Sequence, residues 1–231
     1  MRKHKPGKVF EFSVNALLAI LIVTLYLVTG NPEAQQAMAL SYGSPVYRGH
    51  GEGKIAIEFT VSWNAQALTG ILDTLKENDT QVTFAVSGEW AKNNPELLKR
   101  MYEDGHELAT MGFDPNKDGK LSWVTEDVRQ SLEAIEAGSG ATVRLYYSGS
   151  RNIAVSAGAS EALNLTQVLS TTDLLCAKGT ADDILARALQ NPIEGSIVLM
   201  QPTSEAAKAL QRLIDAFLEK GIRLSAIKDV L

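Results

Sequence analysis

The chain has 231 residues, of which 45% are hydrophobic and 21% charged, with a formal net charge of −5. That balance excludes a wholly disordered or low-complexity chain, which would combine low hydrophobicity with high net charge. A single cysteine, Cys176, excludes an internal disulfide framework or a multi-cysteine metal cluster, and three histidines (His4, His50, His106) leave little for a histidine-built metal site.

Charge is unevenly placed. Arg2, Lys3, Lys5 and Lys8 form a basic start over residues 1–8 and precede a largely apolar run over 9–28. The remainder of the chain is acidic and offers no electrostatic footprint for a phosphate backbone, so no nucleic-acid partner is expected. The run is long enough to span a hydrocarbon core, and its basic flank stays inside. Two readings are open: a signal anchor that leaves a single-pass protein in the cell membrane, or a signal peptide cleaved near Ala39 to release a secreted one. Both place the rest of the chain outside the cytoplasm. Residues 29–44 read as a linker and 45–231 as the folded domain.

From Lys54 onward strand and helix patterns alternate. Strands are expected at 55–61, 81–86, 106–109, 142–147, 166–171, 196–200 and 223–227. Helices are expected at 65–77, 95–104, 126–137, 156–163, 181–190 and 204–220, with Pro95 opening the second, Gly105 closing it and Gly221 closing the last. Six or seven βα units in this length imply a mainly parallel α/β sheet, closed as a barrel or doubly wound. Ligand sites in such folds lie where strands end and loops lead into helices.

Several segments carry a resemblance. Lys54-Ile-Ala-Ile-Glu-Phe-Thr-Val-Ser-Trp63, Val82-Thr-Phe-Ala-Val86, Asn94-Pro-Glu-Leu-Leu-Lys-Arg100, Asp104-Gly-His-Glu-Leu108 and Gly195-Ser-Ile-Val-Leu199 are similar to the polysaccharide deacetylase (NodB-homology, carbohydrate esterase) family. Ser62-Trp63, Met111-Gly112-Phe113 and the N-terminal run look most like its sporulation-associated, PdaB-like branch. The resemblance implies a distorted (β/α) barrel of about seven parallel strands. It also implies a hydrolase that uses a divalent metal such as zinc to remove acetyl groups from peptidoglycan- or chitin-type glycans.

The family's chemical positions are degenerate here. Where a Thr-Phe-Asp-Asp motif would supply base and metal ligand, the chain reads Glu58-Phe59-Thr60-Val61. The two metal-binding histidine positions fall on Met111 and Pro115, the Arg-Pro-Pro run on Leu145-Tyr146-Tyr147, and the Leu-x-His acid on Gln201. Catalysis of this kind needs a Lewis acid, a carboxylate base and a titrating acid, and none of these replacements provides one. No cofactor is therefore expected.

Other residues also offer chemistry. Alternation on the first strand turns Glu58 inward, either to pair with Arg144 or to act as a relocated base. His106 reads as structural. Asp114, Asn116 and Asp118 match the start of a calcium loop, but Thr125 stands where the bidentate Glu belongs, which favours an ordinary polar loop. Ser62, Trp63, Asn64, Tyr146, Tyr147 and Gln201 are candidates to line a glycan cleft, with core packing as the alternative for the aromatics. The expectation is an extracytoplasmic, catalytically inactive deacetylase-like module of envelope or spore-wall biology whose partner is cell-wall glycan or an envelope protein. The alternative is an active N-deacetylase built on non-standard residues.

Overall fold

The computed structural model describes Leu17, Leu18, residues 43–63 and residues 66–231. The expected membrane segment, apart from Leu17 and Leu18, and the cleavage position at Ala39 lie outside the described residues. Among the described residues no helix is long and apolar enough to cross a membrane. The chain divides into Met1–Ser44 and Pro45–Leu231, and the whole sheet belongs to the second unit.

The elements of that unit are β1 (Lys54–Val61), α1 (Leu68–Glu77), β2 (Thr83–Val86), α2 (Gly88–Asn93), α3 (Pro95–Glu103), β3 (Glu107–Thr110), α4 (Leu121–Ser139) and β4 (Leu145–Tyr147). They continue with α5 (Ile153–Ala162), β5 (Thr166–Val168), β6 (Thr172–Asp173), α6 (Ala181–Gln190), β7 (Ile197–Met200), α7 (Ser204–Glu219), β8 (Arg223–Ser225) and a 3-10 turn (Ile227–Asp229). Strand order is β5-β4-β3-β2-β1-β7-β6, with β8 added to the start of β1. Every ladder between named strands is parallel. The expected mainly parallel α/β sheet is thus observed, with β5 and β6 as its two ends.

β1 is the organising strand because both of its faces are covered, so its period-2 alternation separates two cores. Ile55, Ile57, Phe59 and Val61 turn outward and pack with Ile71, Leu72 and Leu75 of α1 and Leu210, Leu213 and Phe217 of α7. Ala56 turns inward with Ala85, Ala109, Leu145, Val168 and Ile197. Three alanines on neighbouring strands leave the inside wide enough for Ile227 and Val230, which plug its N-terminal end. The plug is pinned by polar bonds. Thr83 Oγ1 accepts from the Ile227 N–H at 2.8 Å and donates to Glu107 Oε2 at 2.6 Å, which also accepts from the Lys228 N–H at 3.1 Å.

The expected strand over 166–171 stops at Val168, because β5 and β6 are the two ends of the sheet and residues 169–171 cross between them. The lead-in segment helps close this gap: Val46 forms a parallel bridge with Val168 and Arg48 an antiparallel one with Ser196. Close approach there requires glycine. A Cβ on Gly49 would lie 1.8 Å from the Val230 carbonyl oxygen, and one on Gly195 would lie 2.3 Å from that of Gly49. Helix α2 is an addition to the expected elements; it is six residues long and opens on Ser87, whose hydroxyl accepts from the Trp90 N–H. The C-terminal strand is shorter than expected because the chain turns into the plug after Ser225.

Candidate functional site

Strand register sets the inward side chains in rows. Leu199, Glu58, Thr83 and Glu107 form one row, and Thr60, Ala85 and Ala109 the next row toward the strand ends. Leu145 on β4 stands level with Ala109, and above that row Met111 and Tyr147 pack on the inner cluster. Thr60 is half-buried and its hydroxyl leans on the Met200 carbonyl at 3.4 Å. Ser62 is half-buried beyond the strand, Trp63 is 75% exposed, and Asn64 lies outside the described residues.

Two expected site residues fall on the other face. Val61 is fully buried in the outer core. Tyr146 is not a cleft residue: it is fully buried against Val124, Val128 and Ala159 beneath α4 and α5. Leu145–Tyr147 is only three residues long, so alternation sends its first and last side chains inward and the middle one out.

At the expected general-acid position Gln201 is held on both sides. Its Oε1 accepts from the Cys176 N–H at 2.8 Å, and its Nε2 donates to Asp173 Oδ1 at 3.2 Å. Asp173 Oδ1 also accepts from the N–H of Leu175, a residue in the left-handed region at φ 49°. Burial pushes the Cys176 thiol up to about 11, so it offers no thiolate near neutrality.

A divalent metal does not fit this set. Thr60, Val61, Met111, Pro115, Leu145 and Gln201 contribute a hydroxyl, hydrocarbon, a thioether and an amide, where zinc takes imidazole, thiolate or carboxylate. Among the described residues no group of three or more His, Cys, Asp or Glu side chains is arranged to hold a metal ion. The calcium-loop candidates are also engaged elsewhere: Asp114 pairs with Lys117 at 2.8 Å, and Asp118 accepts from the N–H groups of Gly119 and Asn152. Asn116 is exposed.

Glu58 does point inward, but it does not pair with Arg144, which is exposed and precedes β4. The Glu58 side chain is fully buried, and neither carboxyl oxygen has a hydrogen-bond partner. Burial, and after it the nearby Glu107, push its pKa up to about 8, so it is mainly protonated at neutral pH. The Tyr147 hydroxyl is pushed up first by burial and then by Glu58 and Asp173. His106 is a packed neutral imidazole: its Nδ1 accepts from the Val82 N–H at 3.3 Å, its ring stands edge-on to Phe84, and burial lowers its pKa to about 4.

Arg151 and Asp127 escaped the sequence reading. The buried guanidinium meets Asp127 Oδ2 at 2.7 Å and donates to the carbonyls of Asp114 and Lys117 and to the Tyr146 hydroxyl. Asp127 also accepts from the N–H groups of Phe113 and Asp114. A signal for the acid existed: Asp127 shares the buried stripe Val124, Val128, Ser131 and Ile135 at helical spacing, where a charge needs a partner.

The family profile for polysaccharide deacetylase matches residues 48–167. Bacillus subtilis YlxY, an uncharacterized protein, is 28% identical over 193 residues, covering 81% of this chain and 60% of YlxY. The peptidoglycan-N-acetylglucosamine deacetylase PgdA of Listeria monocytogenes is 36% identical over 61 residues, covering 26% of this chain and 13% of PgdA. This chain thus spans less than two thirds of the length of either relative. In three dimensions it is similar to BA3943 of Bacillus anthracis, described as a CE4 family pseudoenzyme, with 26% identity, a TM-score of 0.76, and coverage of 81% of this chain and 68% of that one. A mutant of BA3943 is described as having restored enzymatic activity. The fold is shared with Bacillus subtilis PdaA, a family 4 carbohydrate esterase, at 19% identity, a TM-score of 0.73, and coverage of 85% and 88%.

Proposed function

Because the chain belongs to the polysaccharide deacetylase family, we propose that it is a catalytically inactive member whose barrel mouth binds cell-wall glycan outside the cytoplasm. The observation that carries this reading is the joint replacement of the chemical set: Thr60, Val61, Met111, Pro115 and Gln201 stand where base, metal ligands and acid are expected, while the sheet and both cores are intact. Without a metal nothing polarises the amide carbonyl, and Gln201 cannot titrate to protonate a leaving amine. What remains suits binding. Trp63 presents an exposed aromatic face at the end of β1, and Tyr147, Gln201 and Ser62 line the same end of the sheet with hydrogen-bonding groups. Attachment to the cell membrane through residues 9–28, or secretion after cleavage near Ala39, would set the module beside envelope or spore-wall glycan.

The test pairs two assays on the full-length protein. Metal analysis and acetate release from acetylated peptidoglycan and chitin fragments should give neither stoichiometric metal nor acetate, and purified cell wall should carry the protein down on sedimentation. Absence of sedimentation with wall or glycan fragments would shift the assignment to an envelope-protein partner.

A second reading, a weakly active deacetylase, draws on the unpartnered Glu58 carboxyl. It requires acetate release that disappears in Glu58→Gln.

A further inference from the structure

A groove of about 550 Å³ runs between α4 on one side and α2 and α3 on the other, a volume within the usual range of ligand sites. Two close helix contacts bracket it. A Cβ on Gly88 would lie 2.7 Å from Ser131 Cα, and one on Gly138 would lie 2.8 Å from Leu98 Cδ2, so glycine draws α4 onto α2 at one place and onto α3 at the other. Between these contacts Ala134 and Ala137 of α4, with Ala91 and Pro95 across from them, are too small to fill the space. From Gln130 to Gly138 the groove follows α4 for about 12 Å, the length of roughly three or four extended residues.

The rim carries one charge of each sign. Lys92 and Glu133 are exposed and line the same groove, yet neither makes a hydrogen bond or an ion pair among the described residues. Arg129, one turn from Glu133 on α4, is spent on Glu126 at 2.9 Å. A cation and an anion that line one groove without meeting complement a ligand that bears both charges. The groove also begins beside the barrel mouth. Phe113 forms its aromatic wall, and Met111, two residues earlier and at most about 7 Å away along the chain, packs on the inner cluster. The N–H groups of Gly88 and Glu89 donate to the Gly112 and Phe113 carbonyls at 3.0 and 3.2 Å, which fastens α2 to the loop leaving the mouth.

Resting on the glycan-binding reading, we propose that this groove receives the short peptide carried by a cell-wall glycan, a chain of small side chains with a free carboxylate for Lys92 and a free amine for Glu133. The apolar floor accepts alanine-sized side chains, and the nearby mouth holds the sugar to which the peptide is joined. The ligand is then a peptide-bearing glycan of the peptidoglycan type and not bare chitin.

Titration calorimetry of the full-length protein at physiological salt tests this with three probes: an N-acetylglucosaminyl-N-acetylmuramic acid disaccharide bearing a tetrapeptide with a free amine, the same disaccharide without peptide, and the free tetrapeptide. The peptide-bearing disaccharide should bind about tenfold or more tightly than either part, because its second contact is intramolecular. Ala134→Leu fills the groove and should abolish that advantage while leaving the bare disaccharide unchanged. Lys92→Gln and Glu133→Gln should each weaken the peptide-bearing ligand alone by about two- to fivefold, the scale of one exposed ion pair. Acetylating the peptide amine should reproduce the effect of Glu133→Gln. Equal affinity with and without the peptide overturns the proposal and leaves glycan binding intact, and so does an advantage that survives all three variants. Binding of the free tetrapeptide that is lost in Ala134→Leu, with no binding of the bare disaccharide, supports the groove and overturns the glycan reading. No binding of any probe overturns both.

Discussion

The Arg151 guanidinium and the Asp127 carboxylate meet at 2.7 Å with side chains only 2% and 6% exposed, which joins the loop after β4 to α4. The same pair also organises the β3–α4 loop. Arg151 takes the carbonyls of Asp114 and Lys117, and Asp127 takes the N–H groups of Phe113 and Asp114. A loop that in a metal-bearing site would be held by its ligands is held here by one arginine and one aspartate.

Removing either partner leaves the other buried and charged, which costs about 3–5 kcal/mol. Arg151→Met and Asp127→Asn should each lower stability to urea by that order. The double variant should lose clearly less than the sum, because the stranded charge is gone. Additive losses in a double-mutant cycle would mean the two side chains act separately.

Gly112 lies against this pair at φ 87°, and a Cβ there would stand 2.3 Å from Asp127 Oδ2 and 2.5 Å from Arg151 Nη1. Gly112→Ala therefore meets a left-handed backbone and a steric clash together. A loss of about 2–4 kcal/mol is expected from strain plus displacement of the ion pair. Gly140→Ala is the control, since φ is 75° there with open space around it. It should cost only about 1 kcal/mol, from strain alone. Equal losses in the two variants, measured by urea unfolding, would remove the steric part of the argument.

Glu58 makes stability depend on pH. Its pKa rises from the ordinary 4.5 to about 8 on folding, so the folded state holds the proton more tightly than the unfolded one. The associated stability is fully present below about pH 4.5 and falls steadily as pH rises toward about 8. The span corresponds to roughly 5 kcal/mol. Glu58→Gln removes this titration, so urea unfolding at pH 5 and pH 8 should show the wild-type chain losing more stability across the interval than the variant. An identical pH dependence in both would show that Glu58 is not a buried acid.

Much of this was legible in the sequence, for identifiable reasons. The alternation of Ile55, Ile57, Phe59 and Val61 against Ala56, Glu58 and Thr60 set the two faces of β1, and the structure places the helices on the predicted side. The division of β5 from β6 was not legible, because a two-residue strand has no periodicity and its pairing with β7 is long-range. Nor was the facing of Tyr146, since β4 is too short for its pattern to choose a face. The sequence offers Arg144 as one partner for Glu58 because a buried acid usually has one. The chain instead leaves the acid unpartnered and gives its buried arginine, Arg151, to α4.

The missing metal chemistry can be put to a constructive test. Thr60 is half-buried on the inward face and Met111 packs on the inner cluster, so Thr60→Asp and Met111→His would deliver ligand atoms to the barrel mouth. Pro115 is half-buried in the adjoining loop, and Pro115→His would add the second imidazole. Val61 differs, because it is fully buried in the outer core and Val61→Asp alone would bury an unpaired carboxylate. The triple variant Thr60→Asp, Met111→His, Pro115→His is therefore expected to retain zinc through dialysis, while the wild-type chain and the single Val61→Asp variant do not. Adding Gln201→His should then be required for acetate release, since zinc alone supplies no titrating acid for the leaving amine. Zinc retained by the wild-type chain at one equivalent would overturn the donor-set argument, and acetate released by it would overturn the proposal of inactivity.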